Sequence, residues 1–240
     1  MKIKDKIMFN NKELTEFGPI NVVIFGDSVS HGGMTDYIDY ENVYWNVLKK
    51  KLNQFRDYVP VNMINASIGG TTAAESVARL ERQALIHEPD LVIVSFGLND
   101  VNRDLGEYLN SLEYIFNKCL SAGHDVIFLT PNMLNTYVAD DTDPKHLNYA
   151  RRMADIQNSG RMDEFMAAAI ALAERCGVTV CDCYSEWKKL AETQDTTLLL
   201  ANRINHPSAE MHKLFAEKLY EIIMPSEGNA TESDSTMYEE

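Results

Sequence analysis

"VVIFGDSVSHGG", residues 22–33, is the stretch whose reading decides the fold. Val22, Val23 and Ile24 form an apolar, β-branched run of the kind that reads as a central strand of a parallel sheet. Gly26, Asp27 and Ser28 then end the run in a small polar turn. Ligands of open α/β sheets bind outside the carboxyl ends of the strands, so a serine at this place is the residue to explain.

Working outward, five apolar runs at about 21–26, 60–65, 90–96, 124–130 and 178–182 alternate with helical patterns, which predicts a doubly wound parallel sheet. "NVYWNVLKKKLNQF" (42–55), "AAESVARLERQALI" (73–86) and "YLNSLEYIFNKCLSAG" (108–123) read as amphipathic helices, the last with Gly123 as its C-cap. The segment after the fourth run is longer than a crossover needs. It holds a polar, acidic loop at about 135–146 and one or two helices, and reads either as a lid or substrate wall or as an ordinary surface excursion. A final helix is expected at about 208–223. Residues 1–224 are read as one domain, and "PSEGNATESDSTMYEE" (225–240), with five acidic and no basic residues, as a disordered acidic tail.

Composition narrows the partners. The 240 residues carry 22 Lys and Arg against 36 Asp and Glu, a net charge of -14, which argues against nucleic acid or an anionic membrane. The opening "MKIKDKIMFNNKELTEF" is charged throughout, without the apolar core of a signal peptide, and no apolar run reaches transmembrane length, so a cytoplasmic location is expected. Cys119, Cys176, Cys181 and Cys183 lack a metal-site or disulfide spacing and read as ordinary thiols, with Cys181 and Cys183 on one face of the last strand. No metal is expected.

The chemistry gathers at the strand ends. The first run leads to Ser28, the second to "NASIGGTT" (65–72) and the third to "FGLND" (96–100), while "NHP" (205–207) can bring His206 to the same edge. A serine, a histidine, an amide and a glycine turn are the parts that acyl transfer requires. Taken singly, each has a plain reading: a helix cap for Ser28, a Gly-Gly turn for Gly70, an Asn-Asp turn for Asn99, a helix-start histidine for His206. Pro207 suits a first helical position and would fix the backbone around His206. Asp27 reads as a loop-ordering residue.

Together, "FGDSVSHG", "NASIGG", "GLND" and "INHP", in this order, resemble the four blocks of the SGNH, or GDSL-like, hydrolases. The resemblance implies a flavodoxin-like three-layer α/β/α sandwich on a five-stranded parallel sheet. It also implies Ser28 as nucleophile and His206 as its base, with the N–H groups of Ser28 and Gly70 and the Asn99 amide as oxyanion donors. The sequence departs from the family at one place. Members commonly carry an aspartate three residues before the histidine, and here that residue is Arg203, whose side chain has no acceptor. A main-chain carbonyl near Arg203, or Asp182 or Asp195, would have to hold His206, or the site has lost function; a serine–histidine dyad with carbonyl support is the preferred expectation.

The expected reaction is hydrolysis of a carboxylic ester through an acyl-serine, with no metal or organic cofactor. Asn132, Asn135, Tyr137, Asp140 and Asp141 in the long segment suit a hydroxyl-rich ligand, which favours an acetylated sugar. Met133, Leu134 and Tyr149 keep an apolar slot open, and with it a short-chain lipid esterase, lysophospholipase or thioesterase. A binding protein without turnover is the other reading, on the strength of Arg203. A nucleotide or flavin module is disfavoured because the first turn lacks GxGxxG and GxxxxGK[ST], and an α/β-hydrolase because no G-x-S-x-G surrounds Ser28.

Overall fold

Five parallel strands form one sheet in the order β2-β1-β3-β4-β5, with β1 Ile20–Gly26, β2 Val61–Asn65, β3 Leu91–Ser95, β4 Asp125–Leu129 and β5 Thr179–Cys181. The computed structural model describes residues 2–56 and 59–224, so the tail assigned to 225–240 lies outside the described residues. Each strand lies where its apolar run predicted, to within one or two residues. β1 is buried except at Asn21, and β3 is buried throughout, as expected of strands covered on both faces. Val22 pairs with both Met63 and Leu91, and Gly26 reaches Ser95, so the carboxyl ends of β1 and β3 emerge side by side. The chain order reverses between them, which places a crevice at that edge.

Helices pack on both sides of the sheet. Tyr44–Gln54 and Ala209–Ile223 lie together, while Leu105–Ser121 packs against Ala73–Val77 and Arg161–Arg175. Gly123 takes a φ of +83°, and the preceding helix ends there as predicted. The long segment holds two helices, Leu147–Asn158 and Arg161–Arg175. No described helix is long and apolar enough to cross a membrane.

Three local expectations are corrected. The stretch 73–86 is not one helix but Ala73–Val77, Leu80–Gln83 and a 3-10 turn, Leu85–His87. At the first break Arg79 is buried: its guanidinium donates to the carbonyls of Gly26, the last residue of β1, and Ala66, just past β2, and stacks 4.5 Å from the Phe25 ring centre. The last helix begins at Ala209 with Ser208 as N-cap, and Pro207 instead forms a bridge with Leu200. β5 ends at Cys181, and Cys183 opens the helix Cys183–Ala191; the two buried sulfurs still lie 3.8 Å apart.

The charged opening segment is also more than a solvated leader. Ile3 and Ile7 are fully buried, Lys6 pairs with Asp90 at 2.9 Å, and the Ile3 N–H donates to Asp125. Ile3 and Ile7 stand four apart, the spacing of one helical face, but two residues are too short a run to read as an amphipathic helix.

Candidate active site

Ser28 opens a single-turn helix, Ser28–His31, directly after β1. Asp27 is its N-cap, with Oδ1 accepting from the Val29 N–H at 3.0 Å, so the capping role falls to Asp27 and not to Ser28. The turn is tight because β1 runs close to β3: a Cβ at Gly26 would lie 2.5 Å from the Ser95 carbonyl oxygen. As the first helical residue, Ser28 has an N–H outside the intrahelical ladder.

His206 lies 2.9 Å from Ser28, Nε2 to Oγ. Its other nitrogen, Nδ1, is 2.5 Å from the main-chain oxygen of Met34. A carbonyl only accepts, so Nδ1 carries the proton and the Nε2 lone pair faces the serine hydroxyl. Burial holds the His206 pKa below the usual imidazole value, with the Met34 carbonyl pulling the other way. The imidazole is therefore neutral at pH 7, the state a proton acceptor needs.

The carbonyl expected near Arg203 does not hold the histidine; the acceptor is the main-chain oxygen of Met34, on the loop that follows the serine helix. Arg203 has turned away. Its guanidinium pairs with Asp141 at 2.9 Å and donates to the carbonyls of Leu198 and Leu200, with the backbone at a φ of +59°. Neither proposed acid serves the histidine: Asp182 caps its own helix and accepts from Thr130, and Asp195 caps a 3-10 turn and accepts from Tyr137.

Asn202 is a residue that the sequence reading missed. Its Oδ1 accepts from the N–H groups of Ile204, Asn205 and His206, each at 3.0 Å, and thereby shapes the loop that presents the imidazole. An asparagine two residues before its first N–H partner is an Asx-turn signal, and "NRINHP" contained it. Ala201 and His206 close the same loop with a 2.7 Å main-chain bond.

The remaining two predicted residues come together on neighbouring loops. Gly70 has a φ of +78°, which favours glycine, and its N–H donates to no group among the described residues. Asn99 follows β3 and gives one of its two amide hydrogens to the Thr71 carbonyl at 3.1 Å, which fixes the amide plane and leaves the second free. Both line a cavity of about 270 Å³. Asp100 ties these loops together, because its Oδ1 accepts from the Ala73 N–H at 2.8 Å. Burial raises the carboxyls of both Asp27 and Asp100 to about 7, with their mutual repulsion adding to the shift of Asp27. His31 joins in from the serine helix, accepting from the Gly69 N–H at 3.3 Å.

Most of the ligand groups expected of the long segment are engaged within the protein, and Asp140 is exposed. Asn132 and Asn135 are fully buried and donate to main-chain carbonyls, Asn132 to that of Asn205 and Asn135 to those of Tyr137 and Ala150. Met133 and Leu134 belong to the core. These residues hold the histidine loop from behind. Tyr137 and Asp141 are engaged with Asp195 and Arg203, and Tyr149 alone of the group reaches the cavity with Gly70 and Asn99.

Comparison with known proteins agrees with this architecture. The structure is similar to an acetyl-xylooligosaccharide esterase from Geobacillus stearothermophilus, at a TM-score of 0.67 and 20% identity over 85% of this chain and 94% of that one. Catalytic mutants of that esterase replace a serine, a histidine and an aspartate three residues before the histidine. A lipase/acylhydrolase from Enterococcus faecalis matches at a TM-score of 0.66 and 24% identity, over 85% of this chain and 95% of that one. Among curated sequences, the uncharacterized lipoprotein YqeF of Bacillus subtilis is 34% identical over 82 residues. That match spans about a third of the length of each protein (33% of this chain, 32% of YqeF). The model of the GDSL-like Lipase/Acylhydrolase family matches residues 24–214, from within β1 to the last helix, and the chain belongs to this family of carboxylic ester hydrolases.

Proposed function

We propose that this protein hydrolyses small-acyl esters of hydroxyl-rich compounds, acetylated carbohydrates in the first place, through a Ser28–His206 dyad within a hydrolase domain spanning 1–224. The observation that carries the reading is the 2.9 Å contact from His206 Nε2 to Ser28 Oγ, with Nδ1 anchored on a carbonyl. Ser28 Oγ attacks the ester carbonyl while its proton passes to Nε2. The oxyanion accepts hydrogen bonds from the Ser28 and Gly70 N–H groups and the free Asn99 amide hydrogen. The imidazolium then protonates the departing alkoxide. Water, deprotonated by His206, attacks the acyl-serine and releases the carboxylic acid. The Met34 carbonyl stabilises the imidazolium as a dipole, where a carboxylate would do so as a full charge.

Two features support the substrate class. The cavity beside Gly70 and Asn99 has no aliphatic lining, which suits an acetyl group better than a long chain. Tyr37 and Tyr40, on the loop that carries Met34, expose 57% and 51% of their surface and offer faces on which sugar rings stack. The similarity to an acetyl-xylooligosaccharide esterase points the same way.

Hydrolysis of a chromogenic acetate by the pure protein tests the reaction. Ser28→Ala and His206→Ala are each expected to lose at least ~1000-fold, because nucleophile and base act as a unit. Retention of a tenth of wild-type activity by a clean Ser28→Ala preparation removes the serine from its role. A series from acetyl to octanoyl tests the acyl group. A steady rise of kcat/KM with chain length, at roughly 0.8 kcal/mol per methylene, would indicate an acyl tunnel and a lipid-type substrate.

A further inference from the structure

We infer that the cavity beside the oxyanion donors is built for an ester that carries an anionic group, a carboxylate or a phosphate, held by Arg103 and Arg152. The inference rests on the esterase reading above and names its substrate more closely.

The chain has a net charge of -14, yet the lining of this cavity contains two arginines and no carboxylate. They arrive from distant segments. Arg103 follows the 3-10 turn Asp100–Asn102 after β3, and Arg152 lies on the helix Leu147–Asn158, three residues and therefore one turn from Tyr149. The backbone at Arg103 is pinned, its N–H donating to the Asp100 carbonyl at 2.7 Å and its own carbonyl accepting from Arg161 at 2.6 Å. Its guanidinium is mostly exposed and only grazes Glu75, at 4.0 Å. Arg152 makes no hydrogen bond or ion pair among the described residues.

Arg203 beside the histidine loop pairs with Asp141 at 2.9 Å, whereas Arg103 meets Glu75 only at 4.0 Å and Arg152 meets no carboxylate among the described residues. Both line the cavity that contains Gly70 and Asn99, and each guanidinium carries five N–H donors. Guanidinium groups recognise carboxylate and phosphate in planar, charge-assisted pairs. An acylated sugar acid or a sugar phosphate carries such a group.

The test compares three acetyl esters of similar leaving ability: 4-acetoxyphenylacetate, its neutral methyl ester and 2-(4-acetoxyphenyl)ethyl phosphate, each corrected for its hydroxide-catalysed rate. At low ionic strength at least one anion is expected to exceed the neutral ester about tenfold in kcat/KM, and the larger of the two identifies carboxylate or phosphate. The advantage should shrink toward unity in 0.5 M salt, as charge attraction is screened (about a 4 Å Debye length). Arg152→Glu, and the milder pair Arg103→Gln and Arg152→Gln, should lower the anion-to-neutral ratio at least fivefold. A ratio near one in the wild type, or one unmoved by Arg152→Glu, overturns the proposal. Equilibrium binding of 4-hydroxyphenylacetate and its methyl ester to Ser28→Ala reads the same preference without turnover. No hydrolysis by the wild-type protein, with anion binding intact, would refute the esterase reading alone, and equal binding of both compounds would refute the anion site alone.

Discussion

Gly33→Ala is the substitution that most directly examines how His206 is held. A Cβ at residue 33 would lie 3.0 Å from the Ser28 carbonyl oxygen, 3.1 Å from His206 Cε1 and 3.4 Å from its Nδ1. Unstrained carbon contacts fall near 3.5–4.0 Å, so the imidazole must retreat by roughly 0.5 Å. It cannot do so freely, being engaged at both nitrogens, 2.5 Å from the Met34 oxygen and 2.9 Å from Ser28 Oγ. Misplacement by about 1 Å can cost ~100-fold, so about half that displacement should lower kcat about tenfold. KM should change little, because Gly33 does not line the cavity that contains Gly70 and Asn99. Gly69→Ala is the control: its Cβ would meet Ser28 Cβ at 3.6 Å, an ordinary contact, and kcat should stay within about threefold. Turnover of an aryl acetate, thermal melts and the proton NMR signal of the His206 Nδ1–H would be measured on all three proteins. Folded Gly33→Ala with kcat within twofold of wild type refutes the reasoning, as does an equal loss in Gly69→Ala.

Three further outcomes follow from the site. Asn202→Ala strands three N–H groups of the histidine loop and should lower both kcat, at least tenfold, and stability, by about 2 kcal/mol, whereas Asn202→Asp keeps the accepting oxygen and should recover most of each. A wild-type kcat in Asn202→Ala would show that the loop is shaped by other contacts. Asp27 and Asp100 titrate near 7 when folded and near 3.8 when unfolded, so their neutral forms favour the fold: stability from these groups is complete below pH ~4 and is lost as pH rises through 7. Asp100→Asn should flatten the fall in urea-unfolding free energy between pH 5 and 8 by about 2.5 kcal/mol, and an unchanged slope would contradict the burial argument. Arg203→Ala removes the Asp141 pair but leaves the Met34 carbonyl in place, so kcat should fall less than tenfold; a loss of 100-fold would mean that Arg203 acts on His206 after all.

The sequence alone determined the sheet and the edge where chemistry occurs. Five apolar runs that alternate with helical patterns predict a doubly wound parallel sheet, and strand burial is written into side-chain pattern residue by residue. Ser28, Gly70, Asn99 and His206 stood out only together, through the resemblance of their four blocks, in order, to the GDSL-like hydrolases; taken singly each has a plain reading. The helix expected at 73–86 was misread because pattern could not show Arg79 turning inward toward Gly26 and Ala66. Asn132 and Asn135 were misread as ligand groups because an amide looks alike in sequence whether it faces solvent or a buried carbonyl. Only the tertiary structure decided what orients His206. The acceptor is the backbone oxygen of Met34, 172 residues away, and every residue carries such an oxygen. A main-chain carbonyl has no signature in sequence; its role arises from the position to which folding brings it.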